Sequence, residues 1–230
     1  MFFTDRYSFA NKSTTVLIFV KSVVAFRYIG ATKPMRITYL PDYLRTRPVS
    51  RYEGFTLDPP QIPVPKNFKA RPTTDFAKEG LFNILANYFD FEELTVLDLF
   101  AGTGSIGYEF ASRGARRVDM IENNFRYARF IRDHLDKLKF ENVQVFQKDV
   151  FRILPELGSK YDLIFADPPY FLDNLDKIPG LVLEARILDT DGWFIFEHGK
   201  NHSFNSHECY KELRKYGNVH FSFFTNQLPA

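Results

Sequence analysis

The chain has little that would tie it to an oxidising compartment or to a membrane. One cysteine, Cys209, stands among 230 residues, so no disulfide can close within the chain. A lone thiol suits a reducing compartment and reads as a small apolar filler, and a cytoplasmic location is the expectation. Long hydrophobic runs are missing as well. The apolar stretch Val16 to Phe26 is broken by Lys21 and Ser22 and falls short of the ~20 residues that a membrane-spanning helix needs. Asp5 in the would-be basic region, with no small-residue cleavage pattern after Phe26, argues against a signal peptide. Internal repeats and low-complexity tracts are absent. His198, His202, His207 and Cys209 crowd one stretch, but their spacing matches no metal signature, so no metal is expected.

What is there is ample apolar material: 45% hydrophobic and 17% aromatic, enough to bury a sizeable core in one large or two small domains. Net charge is +2 but unevenly spread, with 13 Lys/Arg against 6 Asp/Glu in residues 1–80 and the acidic excess in the remainder. A basic third is what a polyanion partner selects, although a solvated arm without a partner has the same count.

Residues 1–48 show weak periodicity and form an extension of unassigned role. Residues 49–72 carry Pro59, Pro60, Pro63, Pro65 and Pro72 among Arg51, Lys66, Lys69 and Arg71, which reads as an extended basic connector because proline breaks helices and central strands. From Thr73 the pattern becomes regular to residue 230. Thr74 or Asp75 caps a helix with apolar positions Phe76, Leu81, Phe82, Ile84, Leu85 and Tyr88. Gly80 inside it costs roughly 1 kcal/mol against alanine, which points either to a close approach there or to chance. Strand and helix then alternate: a strand at 95–99, a helix at about 105–113 stopped by Gly114, and a strand at 117–121. A helix at about 124–138 and strands at 143–146 and 161–166 follow. A helical stretch near 181–188 precedes a strand at 193–196, and a turn at Gly217-Asn218 leads into 219–224 as a hairpin. This order predicts an α/β, Rossmann-like fold: a seven-stranded, mainly parallel sheet with helices on both faces, whose ligands bind outside the carboxyl ends of the strands.

Two segments fall at such ends. The first, Asp98-Leu99-Phe100-Ala101-Gly102-Thr103-Gly104, closes a buried strand in a small turn where a cofactor can approach the backbone. Gly102, Gly104 and Gly107 also satisfy the dinucleotide pattern. Asp98 discriminates, since a carboxylate beside the turn repels a pyrophosphate and attracts the ammonium and sulfonium of S-adenosylmethionine. Glu122, ending the second strand, is placed to accept from two ribose hydroxyls, with a surface carboxylate as the alternative. Asp149, after the third strand, is placed to accept from an adenine amine, with the Val150 N–H beside it.

The second segment is Asp167-Pro168-Pro169-Tyr170. An exocyclic amine conjugated to a base ring is a poor nucleophile, and hydrogen bonds from its N–H groups to Asp167 and the Pro168 carbonyl restore density at nitrogen. The paired prolines preorganise those acceptors, and Tyr170 can stack on a base taken out of its own stack. A rigid strand-to-helix corner is the bland alternative. Displacement at an activated methyl needs alignment more than acid or base strength, so no catalytic triad is expected.

With both segments in view, the chain resembles the class I S-adenosylmethionine-dependent methyltransferases and, more narrowly, the RsmD family of bacterial 16S ribosomal RNA guanine-N2 methyltransferases. The narrower likeness rests on Arg71-Pro72-Thr73-Thr74-Asp75 followed by Lys78-Glu79-Gly80-Leu81-Phe82-Asn83-Ile84-Leu85, then Asp98 to Gly107 and Asp167 to Tyr170. By that resemblance Asp98, Phe100, Gly102 and Gly104 line the methionine end of the cofactor, Glu122 the ribose, and Asp149 with Val150 the adenine. Asp167, Pro168, Pro169 and Tyr170 form the acceptor site. Arg51, Lys66, Lys69 and Arg71 belong to a basic arm, part of a hairpin, that helps to hold 16S ribosomal RNA or a small-subunit assembly intermediate, with guanine 966 the family target. A monomer is the expected state. Residues 1 to about 48 have no family counterpart, and Met35-Arg36-Ile37 resembles the usual family start. An amino-methyltransferase acting on adenine N6 or on a protein glutamine stays open, as do a nicotinamide-dependent oxidoreductase and a catalytically silent RNA-binding module.

Overall fold

The computed structural model describes residues 73–226 and three short strands before them. The chain divides into two units, residues 1–61 and 62–230. The first contains β1 (Thr15–Ile18), β2 (Val24–Arg27) and β3 (Arg36–Tyr39), an antiparallel meander that pairs Val16 with Phe26 and Phe26 with Ile37. The stretch Val16 to Phe26 therefore spans two strands, with Lys21 and Ser22 between them. Strands of four residues are too short for a period-two pattern to register in the sequence. The basic residues Arg51, Lys66, Lys69 and Arg71 lie outside the described residues.

In the second unit β4 (Thr95–Leu99), β5 (Arg117–Ile121), β6 (Val143–Phe146), β7 (Tyr161–Ala166), β8 (Leu188–Gly199), β9 (Tyr210–Tyr216) and β10 (Val219–Thr225) form one sheet in the order β6-β5-β4-β7-β8-β10-β9. The first five strands of that order are parallel, and β10 runs antiparallel to both its neighbours. The apolar alternation of each strand sorts its side chains onto two faces. Leu97, Leu99, Ile164, Ala166, Phe194 and Phe196 pack against α4 (Val150–Ile153) and α5 (Ile178–Glu184) in one core. The opposite parity carries Val96, Asp98, Leu163, Phe165, Ile195 and Glu197, all buried. On that side lie α1 (Asp75–Leu85), α2 (Ser105–Ser112) and α3 (Phe125–Leu138), with Phe82 of α1 packed on Phe110 of α2 at a centroid distance of 4.7 Å.

Helix α1 starts where the sequence places it: Thr74 is the N-cap and its hydroxyl accepts from the Ala77 amide at 3.3 Å. Its buried face is Ala77, Leu81, Phe82 and Leu85. Phe76 and Tyr88, expected in the core, are 71% and 61% exposed. Phe76 sits in the first turn, with its ring edge-on to Tyr216. Tyr88 lies past the end of α1, where its ring rests on Trp193. Gly80 does mark a close approach, for a Cβ there would lie 2.2 Å from the Tyr216 ring. The helix expected near 181–188 is α5, three residues earlier at its start, and Leu188 already begins β8. That strand runs to Gly199 and so includes His198, which the sequence pattern assigns to a polar connection. Its Nε2 and the Ser222 hydroxyl share a hydrogen bond of 2.8 Å between β8 and β10.

The amino-terminal edge of the sheet is pinned by polar side chains. Asp162 accepts from the Thr95 amide and hydroxyl at 2.7 and 2.6 Å, and fully buried Asp119 accepts from Tyr161 at 2.7 Å and pairs with Arg117. Where β8 shifts register against β7, a Cβ on Gly192 would stand 2.9 Å from the Asp162 carbonyl oxygen. Backbone at that distance cannot swing aside. Gly192→Ala is expected to lower stability by about 1–3 kcal/mol through overpacking, as a reduced urea midpoint with unchanged slope. A midpoint equal to that of the parent protein would show that the bulge relaxes freely.

Candidate active site

The first of the two predicted turns is built at the carboxyl end of β4. Phe100, Gly102 and Gly104 all have positive φ, at 61°, 58° and 82°. For phenylalanine that conformation is uncommon and is held only where the surroundings demand it; the ring packs against the α4–α5 core, edge-on to Phe151. Gly104 has no room for a side chain either, because a Cβ would meet the Tyr108 ring at 2.9 Å. The Ala101 amide donates to Ile121 O at 2.9 Å and the Gly104 amide to Ala101 O at 2.7 Å. Glu122 completes the frame. Its carboxylate accepts from the Gly102 amide and from the Asn124 amide, each at 2.7 Å, while Asn124 caps α3. The predicted ribose acceptor is thus also the clamp that joins the glycine turn to the third helix. Its two oxygens keep further lone pairs for hydroxyl donors.

Asp98 sits directly beneath this turn and is 2% exposed. One carboxylate oxygen accepts from the Gly107 amide at 3.0 Å. Burial pushes its pKa up to about 8, against the opposing effect of the Gly107 bond, and the nearby Glu122 adds to the rise. A carboxyl so poorly solvated gains most from a cationic partner, which fits an ammonium-bearing cofactor and opposes a pyrophosphate. Lys78 of α1 reaches the same turn, its Nζ 3.4 Å from the Ser105 hydroxyl and 3.9 Å from Glu109. Asp149 caps the short helix α4, accepting from the Arg152 amide at 3.2 Å, and Val150 is buried behind it.

The second predicted turn leaves β7, the strand beside β4. Leu99 and Ala166 are register partners, and the Asp167 amide continues the ladder by donating to Leu99 O at 3.4 Å. The two predicted segments therefore open side by side on one edge. Pro168 is buried and Pro169 exposed, and the Pro169 carbonyl accepts from the Leu172 amide at 2.9 Å to close the loop. Tyr170 is 37% exposed, and its hydroxyl donates to Glu197 at 3.1 Å. Phe171 beside it is 88% exposed. Sequence reasoning missed Thr73, Lys78, Phe171 and Glu197 as members of this edge. Thr73 stood within a motif whose purpose was unread, and Glu197 was signalled only as a lone acid directly after the apolar run 193–196.

Two other features lie apart. Among the described residues no group of three or more His, Cys, Asp or Glu is arranged to hold a metal ion. His202 pairs with Asp176 at 2.8 Å, and the His207 ring accepts from the Cys209 amide. A cavity of about 540 Å³ lies between Tyr88, Asp90, Asp162, Asp191, Trp193 and Lys211. It is at the amino-terminal edge, the wrong end of a parallel sheet for ligand chemistry. No helix among the described residues is long and apolar enough to cross a membrane.

The strand order, the glycine turn at the switch between β4 and β7, and the acidic-proline loop beside it define a class I methyltransferase. A solved structure of a hypothetical protein from Thermus thermophilus aligns with a TM-score of 0.63 at 25% identity, covering 70% of this chain and 91% of that one. The chain belongs to the RsmD family, whose model, described as conserved hypothetical protein 95, matches residues 58–225. Ribosomal RNA small subunit methyltransferase D of Escherichia coli K12 is 32% identical over 137 residues, 60% of this chain and 65% of that protein. The protein of the same name from Haemophilus influenzae Rd is 32% identical over 145 residues, 61% and 74% of the two chains.

The burial of Asp98 has a consequence for stability. A carboxyl raised from 3.8 to about 8 on folding binds its proton more tightly in the folded chain. Its contribution is full below about pH 4 and is lost as the pH rises to about 8. Asp98→Asn, which mimics the protonated form, is expected to flatten the fall in urea midpoint between pH 5 and pH 8. Parallel pH profiles for the two proteins would contradict the burial argument.

Proposed function

We propose that this chain transfers a methyl group from S-adenosylmethionine to the exocyclic N2 amine of one guanine in 16S ribosomal RNA. The observation that carries the reading is the adjacency of the two turns: a cation-seeking carboxylate under a glycine turn, one strand away from an Asp-Pro-Pro-Tyr loop. Family membership and the names of the relatives support the RNA substrate.

The residues divide the work by position. Asp98 and the backbone of the glycine turn would hold the methionine end, Glu122 the ribose hydroxyls, and Asp149 with the Val150 amide the adenine. When bound, the cofactor supplies an electrophilic methyl group on sulfur. Asp167 accepts a hydrogen bond from the target amine and the Pro168 carbonyl accepts a second, so both N–H groups are aimed and the nitrogen lone pair is turned away from them. As nitrogen takes on positive charge, the Asp167 carboxylate stabilises it and receives the proton that leaves. Tyr170 presents a ring face to the extruded base, and the exposed Phe171 extends that aromatic edge towards its neighbours. A guanine also offers its N1–H to an acceptor at this edge, whereas adenine presents a lone pair at the same ring position.

Incubating the protein with labelled cofactor and unmodified small-subunit RNA, followed by nucleoside mass spectrometry, is expected to yield N2-methylguanosine. N6-methyladenosine, or label on protein glutamine, would replace this reading by the alternative chemistry. Asp167→Ala is expected to abolish transfer while leaving affinity for S-adenosylhomocysteine within about twofold, as calorimetry would read; retained turnover would remove Asp167 from the acceptor site.

The basic segment before Thr73 supplies the RNA grip in this proposal. Neutralising Lys66, Lys69 and Arg71 together is expected to weaken RNA binding. It should also lower the slope of log affinity against log salt by about 2, as the loss of three phosphate contacts on a single strand requires. An unchanged slope would take the arm out of the interface.

A further inference from the structure

Glu197 occupies an unusual place for an acid. It lies on β8 directly after Phe194, Ile195 and Phe196, all at 0% exposure, and is itself 3% exposed. One residue beyond the register pair Ala166↔Phe196 stand Asp167 on one side and Glu197 on the other, so Glu197 borders the root of the acceptor loop. A carboxyl group taken this far from water needs hydrogen-bond partners fixed on it. Among the described residues two hydroxyls meet it. The Thr73 hydroxyl donates to Oε2 at 2.7 Å and the Tyr170 hydroxyl donates to Oε1 at 3.1 Å.

Each donor belongs to a different segment. Thr73 directly follows the basic proline-rich stretch and precedes the N-cap of α1, 124 residues away from Glu197. Tyr170 is the aromatic residue of the acceptor loop. Its ring turns about two side-chain torsions and is partly exposed, so nothing in the loop backbone alone selects one orientation. The Glu197 carboxyl group does so from the far end of the ring, by accepting the Tyr170 hydroxyl at 3.1 Å. The ring also stands beside Gly199, where an added Cβ would meet Tyr170 Cδ2 and Cε2 at 3.4–3.5 Å, an ordinary contact distance.

We propose that Glu197 is a positioning residue of the acceptor site: its buried carboxylate holds the Tyr170 ring in its base-stacking orientation and ties that ring, through Thr73, to the start of helix α1. The proposal rests on residues 167–170 being the acceptor loop. Glu197 touches no reacting atom; it acts by fixing Tyr170 before the base arrives, which removes an ordering cost from the transfer step.

The test compares Glu197→Ala, Glu197→Gln, Tyr170→Phe and the double variant Glu197→Ala/Tyr170→Phe. Glu197→Ala is expected to lower kcat at least about tenfold, as small misplacements of an aligned group do, with affinity for S-adenosylhomocysteine unchanged. Glu197→Gln is expected to recover most of that loss, because its amide can accept from one hydroxyl and donate to the other. In the Tyr170→Phe background the alanine change is expected to cost little more, since the hydroxyl it would release is already gone. Hydrogen exchange without RNA is a second readout: the Leu172 amide, which closes the loop by donating to Pro169 O, is expected to lose protection in Glu197→Ala. Additive losses in the double variant, or a fall in thermal stability with kcat intact, would overturn the proposal. Should the parent protein transfer no methyl group to RNA, the proposed function falls, and exchange alone decides: unchanged protection of the loop overturns the role of Glu197, and lost protection upholds it.

Discussion

The parallel pairing of β4 with β7 is the constraint on which the site depends. After β4 the chain moves outwards through β5 to β6 and then returns across the sheet to place β7 on the other side of β4. The connections that follow β4 and β7 therefore diverge to opposite sides, and a crevice must open above their carboxyl ends. Leu99 and Ala166 being register partners, the turn beginning at Phe100 and the loop beginning at Asp167 leave the sheet at the same height. A slip of two residues in that register would keep every core residue on its own face and still separate the two loops by more than about 6 Å along the strand. The apolar pattern alone does not fix the site; the ladder does, and the Asp167 amide donating to Leu99 O is its last rung.

Buried carboxylates then set the loops that the ladder brings together. Glu122 accepts from Gly102 and Asn124, Asp98 from Gly107, and Glu197 from Thr73 and Tyr170. Each acid is taken from water, and each binds a segment outside the regular hydrogen-bond ladders: the glycine turn, the first turn of α2, the 167–170 loop. Desolvation raises the pKa of both Asp98 and Glu122, so this edge of the sheet is poor in water and rich in negative potential once charged. A cation lowers that cost and a phosphate raises it. The same burial that reduces stability at high pH therefore selects what can bind.

Much of this is legible in the sequence because the signals are local. Strands 95–99, 117–121, 143–146 and 161–166 are apolar runs bounded by turn residues, and β4 to β7 occupy those same bounds. The cap at Thr74 and the turn at Gly217 depend on residues adjacent in the chain. The pattern misleads where partners are distant. Phe76 and Tyr88 obey helical periodicity but face Tyr216 and Trp193 rather than the core. The extent of β8 is hidden because Asp189, Thr190 and Asp191 are polar, yet β7 and β10 extend it at both ends. The first three strands are too short for periodicity to reveal. In the site, every expected residue from Asp98 to Tyr170 lies at the carboxyl edge of the sheet, whereas Thr73 and Glu197 escape notice because their hydrogen bond spans 124 residues.

That long-range bond explains why the Arg-Pro-Thr-Thr-Asp block is more than a helix start. Thr74 alone caps α1, and serine, aspartate or asparagine would do as well there. Thr73 has the narrower task of placing a hydroxyl 2.7 Å from a carboxylate in the interior, which neither an apolar nor a larger residue can do. Lys78, one turn further on, reaches the first residue of α2 behind the glycine turn. Helix α1 and the residue before its cap thus contact both loops, the glycine turn through Lys78 and the 167–170 loop through Thr73 and Glu197. Its own Phe82 packs on Phe110 and Phe91, which anchors the helix against α2 and the segment before β4. The helix that precedes the sheet in sequence thus brings one rigid element into contact with both loops, since Thr73 stands directly before its N-cap and Lys78 lies one turn inside it.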